Sequence, residues 1–284
     1  MSTASAAPPS RPPATAAYDR LTEVFPRLAV ACGPLPRGDG WITAAALAAG
    51  GPAVTAFSAW DAERSRREYG RVPRPDVAAG FGLYRYAWSA SLLLTLPWFL
   101  HRRVPAAPLA AVAVRRGLRT EIAFTTREFT CLPDDPAAGL PDASVAADEE
   151  SLRQVVREGL AGHLGPVLEG FGPWTRRGSR ALWGLMTDAT TEGLWHLGKL
   201  LGDGEEARAR AELGLLLPHG TPPYAAGGAA FRALRGQPDD PAPPRTRDRS
   251  SCCLLYTVRP RACLTCPRTG DAERLQRLTA RRST

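Results

Sequence analysis

Four cysteines near the carboxyl end of the chain have a spacing that could enclose a metal ion or an iron-sulfur cluster. They are Cys252, Cys253, Cys263 and Cys266, with nine residues between the adjacent pair and the Cys-x2-Cys pair. A Cys-x2-Cys step turns the backbone tightly, so both sulfurs can face one metal or one cluster. That half of the pattern is common to zinc sites and iron-sulfur sites.

The adjacent pair, Cys252 and Cys253, discriminates between the two kinds of site. Neighbouring side chains of an extended backbone point to opposite faces, so these sulfurs converge on one point only where the chain turns sharply. Zinc sites usually space their ligands two to four residues apart. A [2Fe-2S] cluster shares four thiolates between two irons, which makes a splayed pair less of an obstacle. The spacing therefore favours a cluster, and it leaves zinc and unligated thiols open as alternatives.

Disulfide pairing is a further alternative for these cysteines, and it requires an oxidising compartment. Residues 1–16 contain one arginine, several prolines and no continuous apolar stretch, which does not match a secretory signal. We therefore expect residues 1–16 to be a disordered leader and the protein to be cytoplasmic, where thiols stay reduced. Cys32 and Cys131 lie far from the other four in sequence and are expected to be ordinary thiols.

Length and charge limit the remaining functions. The chain of 284 residues can bury a sizeable core, and its formal net charge of +8 would attract acidic proteins and anionic ligands. The arginines are scattered without a nucleic-acid motif, so no nucleic-acid partner is expected. The most apolar run, residues 92–100, is too short for a membrane span and is interrupted by Pro97. We expect at most peripheral membrane contact.

The elements that must position the cysteines are mainly helical. Apolar periodicity predicts helices from Tyr18 to about Pro34 and over residues 41–49, 54–69, 151–171, 179–202 and 205–217, with Ser179 as an N-cap. His163 lies beside the apolar stripe of one helix and is expected to be a hydrogen-bonded core residue. Alternating β-branched residues between 110 and 132 predict two or three strands, with Gly117 in a turn, and residues 133–147 a loop.

These elements predict an α+β fold with a mainly helical body, a small antiparallel sheet and a C-terminal iron-sulfur-binding segment. The body is expected to cover residues 17–235, with the sheet at about 106–132. Residues 236–249 are rich in proline, cannot continue a helix, and are predicted to be a linker. The cysteine segment then covers residues 250–284.

The cysteine segment also resembles a known family. FhuF-like ferric-siderophore reductases have a C-terminal signature that this chain resembles between Arg249 and Pro267, in the run Arg-Ser-Ser-Cys-Cys-Leu-Leu-Tyr-Thr-Val-Arg-Pro-Arg-Ala-Cys-Leu-Thr-Cys-Pro. The signature is an adjacent cysteine pair, about ten residues, and then Cys-x2-Cys. The resemblance extends upstream to Gly162-His163 and to Arg180-Ala-Leu-Trp183-Gly. Here the loop between the pairs is one residue shorter, and Arg259-Pro-Arg-Ala replaces a glycine-rich turn.

The resemblance implies a cytoplasmic [2Fe-2S] oxidoreductase that reduces Fe³⁺ held by an imported siderophore to Fe²⁺. Its four cluster ligands would be Cys252, Cys253, Cys263 and Cys266, and no catalytic residue is expected beyond them. Siderophores hold Fe³⁺ through hard anionic oxygens, so a one-electron reduction weakens their attraction for the metal. The implied partners are a ferric siderophore and an electron donor such as a ferredoxin or a flavin reductase.

Two other functions stay open, a structural four-cysteine zinc-binding module and an iron-sulfur redox or iron sensor that acts by binding a partner. Arginines crowd the cysteine segment, and they would either attract an acidic donor or an anionic ferric chelate, or keep an exposed tail in solution. They are Arg245, Arg247, Arg249, Arg259, Arg261 and Arg268.

Overall fold

The computed structural model describes residues 12–234 and 243–282. Helix accounts for 54% of the protein and strand for 12%, in small mixed sheets, so the fold is α+β with a mainly helical body. The predicted fold class is therefore confirmed, although the sheets are mixed rather than antiparallel. Of the predicted leader, residues 1–11 lie outside the described ranges, and a helix already begins at Thr15.

The helical body is built around one long central helix. Within the described ranges the helices are α1 (Thr15–Val24), α2 (Ala44–Ala49), α3 (Pro52–Tyr69), α4 (Pro75–His101), α5 (Glu149–Thr175), α6 (Ser179–Leu201), α7 (Asp203–Leu216) and α8 (Asp271–Arg282). Helix α4 packs against α3, α5 and α6. Because it is covered on several sides, its residues are apolar nearly all round rather than along one stripe.

The strands form three small sheets. They are β1 (Leu28–Cys32), β2 (Trp41–Thr43), β3 (Val104–Pro105), β4 (Val112–Arg116), β5 (Thr120–Phe124), β6 (Phe129–Cys131), β7 (Ala143–Val145), β8 (Phe231–Ala233) and β9 (Arg245–Arg247). The largest sheet has the order β1-β5-β4-β2, in which β1 runs parallel to β5 and the other pairs are antiparallel. A second sheet has the order β3-β6-β7, and β8 pairs antiparallel with β9.

Several predicted elements have different bounds in the structure. The first helix ends at Val24, because the chain then enters β1, which gains its backbone hydrogen bonds from β5. Residues 41–43 are a strand, and α2 begins only after Thr43, whose Oγ1 accepts a hydrogen bond from the N–H of Ala46 at 3.1 Å. The predicted loop 133–147 contains β7, and Gly178 rather than Ser179 is the N-cap of α6.

The predicted linker also differs from what the structure shows. Residues 236–242 of it lie outside the described ranges, whereas Arg245–Arg247 form β9, which pairs with β8 of the body. The N–H of Asp248 then donates to the carbonyl of Ala230 at 3.1 Å. Strand pairing therefore fixes the backbone immediately before the cysteine segment.

The most apolar run of the sequence lies in the core. Residues 92–100 form the last turns of α4, and all of them except Leu100 are buried. In the part of the chain that the structure describes, we find no helix with the length and apolarity that crossing a membrane would require.

Candidate metal centre

The structure brings the four predicted cysteine ligands together as two pairs. The Sγ atoms of Cys252 and Cys266 are 3.9 Å apart. Nη1 of Arg249 lies 3.9 Å from Sγ of Cys253 and 3.8 Å from Sγ of Cys263. All six cysteines of the chain are free thiols, and Cys32 in β1 and Cys131 in β6 take no part in this group.

A sharp turn of the backbone makes the adjacent pair converge with the second pair. Leu254, directly after the pair, has a left-handed conformation with φ of 61°, and a short 3-10 helix follows at Leu255–Thr257. The N–H of Leu254 points back to Sγ of Cys252 at 3.4 Å. The Cys-x2-Cys step closes its own turn, since the N–H of Cys266 donates to the carbonyl of Cys263 at 3.1 Å.

Helix α6 holds the first cysteine pair through Asp188. Oδ1 of Asp188 accepts the N–H of Ser250 at 3.0 Å, and Oδ2 accepts the N–H of Ser251 at 2.8 Å. One turn earlier, Gly184 lets the segment approach, because a Cβ there would lie 3.2 Å from Cβ of Ser251. The backbone before Cys252 is thus bound directly to the helix surface.

Glu192, one turn after Asp188, holds the second cysteine pair. Its Oε1 accepts the hydroxyl of Thr265, between Cys263 and Cys266, at 2.6 Å. Its Oε2 accepts the hydroxyl of Tyr84 on α4 at 2.7 Å. Burial acts to raise the pKa of Glu192, but Arg249 and Arg247 lower it by more, so the side chain is ionised.

Two arginines that lie just before the cysteine segment are buried among these carboxylates. The fully buried Arg247 donates Nη2 to Asp188 at 2.5 Å and Nη1 to Glu192 at 3.2 Å. Nε of Arg249 lies 3.5 Å from Oδ2 of Asp188, and its guanidinium lies 4.6 Å from the centre of the Tyr84 ring. Burial raises the pKa of Asp188. The N–H groups of Ser250 and Ser251 donate to its side chain and the two arginines place positive charge beside it, which favours the ionised carboxylate.

The expectation that all six arginines act at the surface is therefore wrong for two of them. Arg247 and Arg249 are buried because their side chains pack against α6 and pair with Asp188 and Glu192 there. The exposed members of the group are Arg245, Arg259, Arg261 and Arg268.

Sequence reasoning missed Asp188 and Glu192, and it gave no role to Gly184, which ends the upstream run of the resemblance. These residues are spaced four apart, which places them on one face of α6. A small residue and two acidic ones on the same face of an otherwise apolar helix would have been the signal. The sequence did not show what the two carboxylates bind, because their partners lie 62 to 73 residues further along the chain.

His163, in the upstream part of the resemblance, belongs to the core. Its Nε2 is 2.7 Å from the hydroxyl of Tyr86, and its Nδ1 is 2.7 Å from the carbonyl of Ala107. Burial lowers the pKa of His163, which keeps the ring neutral. The structure thus confirms the expectation of a hydrogen-bonded core residue.

The four thiols have the type and number of ligands that a [2Fe-2S] cluster requires. Burial raises the pKa of Cys253 and of Cys263, and Arg249 opposes that rise, so nearby positive charge is needed to hold these thiols as thiolates. Nε and Nη2 of Arg249 have no hydrogen-bond partner among the described residues. Over those residues, no three His, Cys, Asp or Glu side chains surround one point as a metal-ion site would require.

A cavity of about 430 Å³ opens beside Cys263. Its lining includes Leu264 and three arginines, Arg259, Arg261 and Arg277. Arg277 is held by its own helix, since Nη2 lies 2.6 Å from Oε1 of Glu273, and Nη1 donates to the carbonyl of Ala262 at 2.8 Å. One of the four sulfur-bearing residues is thus accessible from a positively charged surface.

Neither a comparison with protein-family models nor a comparison with curated proteins found a match for this chain. The resemblance drawn from the cysteine spacing therefore stays an expectation. The four thiols and the residues around them are therefore the features of this protein that bear on its function.

Proposed function

We propose that this protein is a cytoplasmic ferric-siderophore reductase that holds a [2Fe-2S] cluster on Cys252, Cys253, Cys263 and Cys266. The observation that carries the proposal is the gathering of four thiols, in two pairs, beside the buried Arg249. A cluster bound there would supply single-electron transfer. The donor, a ferredoxin or a flavin reductase, loses one electron, and Fe³⁺ in the chelate gains it and becomes Fe²⁺.

The adjacent cysteines, rather than the distances between sulfurs, favour a cluster over a zinc ion. A zinc site of four cysteines places all four sulfurs around one point, whereas the two irons of a [2Fe-2S] cluster take two thiolates each. Here one sulfur pair lies within 3.9 Å and the other pair flanks a single guanidinium group. Distances of this size occur in both kinds of site, so the preference for a cluster rests on the adjacent Cys252 and Cys253, a spacing that zinc sites usually avoid.

The protein's own residues would hold and tune the thiolates. Nη1 of Arg249 donates toward Cys253 and Cys263, and the N–H of Leu254 donates toward Cys252. Hydrogen bonds and positive charge at cluster sulfurs stabilise the more negative, reduced state and so raise the reduction potential. Arg249 is in turn kept in place by Asp188 and by the ring of Tyr84.

The arginines around the cavity beside Cys263 suit an acidic electron donor. Arg259 and Arg261 are exposed and line this cavity together with Arg277. Surface charges of one sign attract a partner of the opposite sign, and salt weakens that attraction. We expect reduction by an acidic ferredoxin to slow as the salt concentration rises.

The test is anaerobic purification followed by analysis of iron, acid-labile sulfide and zinc. We expect about two irons and two sulfides per chain with a visible absorption spectrum, and loss of both in Cys263→Ser but not in the control Cys32→Ser. The cluster-loaded protein should then reduce a ferric chelate in the presence of a reduced donor. Colourless protein that contains zinc would overturn the proposal in favour of the structural module.

Loaded protein that fails to reduce any ferric chelate would instead point to the sensor function. The salt dependence provides a separate readout. A donor-dependent rate that is the same at low and high salt would show that the arginines do not attract the donor.

A further inference from the structure

A second and larger cavity, of about 630 Å³, is lined by residues of the helical body and of the largest sheet. It opens between helices α3 and α4, the residues before β1, and the turn that joins β4 to β5. Five arginines, four aromatic residues and a single glutamate are among its lining residues. The arginines come from four different elements, so positive charge faces the cavity from several directions.

Two of these arginines share one buried carboxylate. Asp61 on α3 is fully buried, and its Oδ1 accepts a hydrogen bond from Nη1 of Arg85 and another, at 3.2 Å, from Nη2 of Arg116. The Arg116 side chain is only 6% exposed, and its Nε has no hydrogen-bond partner among the described residues. The two guanidinium groups therefore carry more charge than Asp61 can neutralise.

The other charges of the cavity do not correct this imbalance. Burial lowers the pKa of Arg85 and of Arg116 to about 10, and both remain charged at neutral pH. Glu68, the acidic residue in the lining, already pairs with Nε of Arg64 at 2.6 Å. Buried charge that lacks a counter-charge is costly, so an anionic ligand would be stabilising here.

Aromatic rings give the cavity a second kind of contact. The Arg116 guanidinium lies 4.3 Å from the centre of the Trp60 ring, and Trp88 and Tyr84 of α4 are also in the lining. Aromatic faces and stacked guanidinium groups bind planar aryl groups. The cavity therefore combines excess positive charge with surfaces that fit flat rings.

The same cavity adjoins the cysteine site through one side chain. Tyr84 lines the cavity, and its ring contacts Arg249, whose Nη1 lies within 3.9 Å of the sulfurs of Cys253 and Cys263. Arg85 also interacts electrostatically with Cys253. A ligand in this cavity would be separated from Cys253 and Cys263 by the side chains of Tyr84 and Arg249.

We infer that this cavity is the binding site for the ferric chelate, and that it selects anionic chelates with aryl arms, of the tris-catecholate class. The phenolate oxygens, which together outweigh the charge of Fe³⁺, would meet Arg85 and Arg116, and the rings would pack against Trp60 and Trp88. The inference rests on the proposed function, because the bound chelate is the substrate of that reaction. A neutral tris-hydroxamate chelate offers neither the charge nor the rings.

Calorimetric titration of the full-length, anaerobically purified protein tests the inference. The probes are the gallium(III) complexes of a tris-catecholate and of a neutral tris-hydroxamate, with flavin mononucleotide as a third ligand. Gallium(III) keeps the charge of Fe³⁺ but is not reduced, so binding is measured whether or not electrons are transferred. A failure of binding is thereby distinguished from a failure of the reductase function.

Leu118 provides a variant that does not disturb the core. It lies in the cavity lining on the β4–β5 turn and is fully exposed. We expect Leu118→Glu to weaken binding of the gallium tris-catecholate at least tenfold by repulsion, and the uncharged control Leu118→Gln to change it less than twofold. Arg116→Met is also expected to weaken it at least tenfold, while the exposed Arg66→Gln on the same helix as Trp60 leaves it unchanged.

We expect the tris-catecholate complex to bind at least tenfold more tightly than the tris-hydroxamate complex and than flavin mononucleotide. Equal affinity for the two gallium complexes would overturn the inference, as would equal affinity in Leu118→Glu and Leu118→Gln. Tighter binding of flavin mononucleotide would also overturn it, and would assign the cavity to the electron donor.

Discussion

Two buried ionic networks lie on either side of Tyr84, and they differ in charge balance. In the network on α6, Arg247 and Arg249 face two carboxylates, Asp188 and Glu192. In the network on α3, two arginines share one carboxylate, Asp61. The first network is also rich in hydrogen bonds from the cysteine segment, whereas one carboxylate oxygen of Asp61 has no hydrogen-bond partner among the described residues.

The difference separates a structural role from a binding role. In the network on α6 the charges are matched, although Nε and Nη2 of Arg249 lack hydrogen-bond partners among the described residues, and its carboxylates hold the cysteine segment on the helical body. A buried group with surplus charge is not satisfied by the protein alone. We infer that the network on α6 holds the candidate cluster site against the helical body. The network on α3 lies at the base of the proposed chelate site.

Breaking the balanced network should have the largest effect on stability. Arg247→Met removes the fully buried guanidinium and leaves Asp188 with much of its charge uncompensated. We expect the free energy of unfolding to fall by about 3–5 kcal/mol, because removing one partner of a buried pair strands the other. Urea denaturation measures this loss.

Arg245→Met is the matched control for that experiment. Arg245 lies two residues earlier in the same strand, and its side chain is exposed. We expect Arg245→Met to change the free energy of unfolding by less than about 0.5 kcal/mol. If both variants were equally stable, the network on α6 would not be what holds the cysteine segment.

Removing a charge from the unbalanced network should cost much less. In Arg116→Met, Asp61 keeps Arg85 as its partner, and the surplus buried charge is lost. We expect the free energy of unfolding to change by no more than about 1 kcal/mol, since loss of the uncompensated charge offsets the lost hydrogen bond. Urea denaturation compared with Arg115→Met, a neighbouring surface arginine paired with Glu121, gives the measurement. A loss as large as that of Arg247→Met would show that the two networks are alike.

An exposed network near the carboxyl end should show the smallest effect. Hydrogen bonds from Arg232, and further ones from Arg274, lower the pKa of Asp248 to about 2, below its value of roughly 3.9 in unfolded chains. A lowered pKa stabilises the fold above that unfolded value, and the contribution is lost as the pH falls from about 4 to about 2. The Asp248 side chain is 51% exposed, so the contribution should stay below about 1 kcal/mol.

Melting temperatures of the natural protein and Asp248→Asn between pH 5 and pH 2 check this prediction. The two should differ at pH 5 and converge at pH 2, and Asp142→Asn, in another exposed pair, should differ little at any pH. A difference that does not change with pH would mean that the ion pair of Asp248 is not its cause.

Local patterns in the sequence predicted most of the helices but few of the strands. The helices from 151 to 217 were readable because their apolar residues recur on one face over many turns. Strand β1 was missed because its five residues acquire their conformation from pairing with β5, more than eighty residues away. Strand β9 was missed for the same reason, since its partner β8 belongs to the body.

The residues of the candidate site likewise fall into those that the sequence predicted and those that it did not. The four cysteines were identified from the sequence, because metal or cluster ligation needs several thiols within one short stretch and their spacing is visible in the chain. The burial of Arg247 and Arg249, and the roles of Asp188, Glu192 and Tyr84, were not predicted. The spacing of Asp188 and Glu192 on one face of α6 is visible in the sequence, but their partners come from other elements, so what they bind is not.

The sequence by itself therefore determined which residues could hold an inorganic centre and that the body around them is mainly helical, since both follow from spacing along the chain. Only the tertiary structure decided which charges are neutralised and which are left over. Whether a buried arginine has a counter-charge depends on what packs beside it, and elements distant in sequence meet at Asp61 and at Asp188.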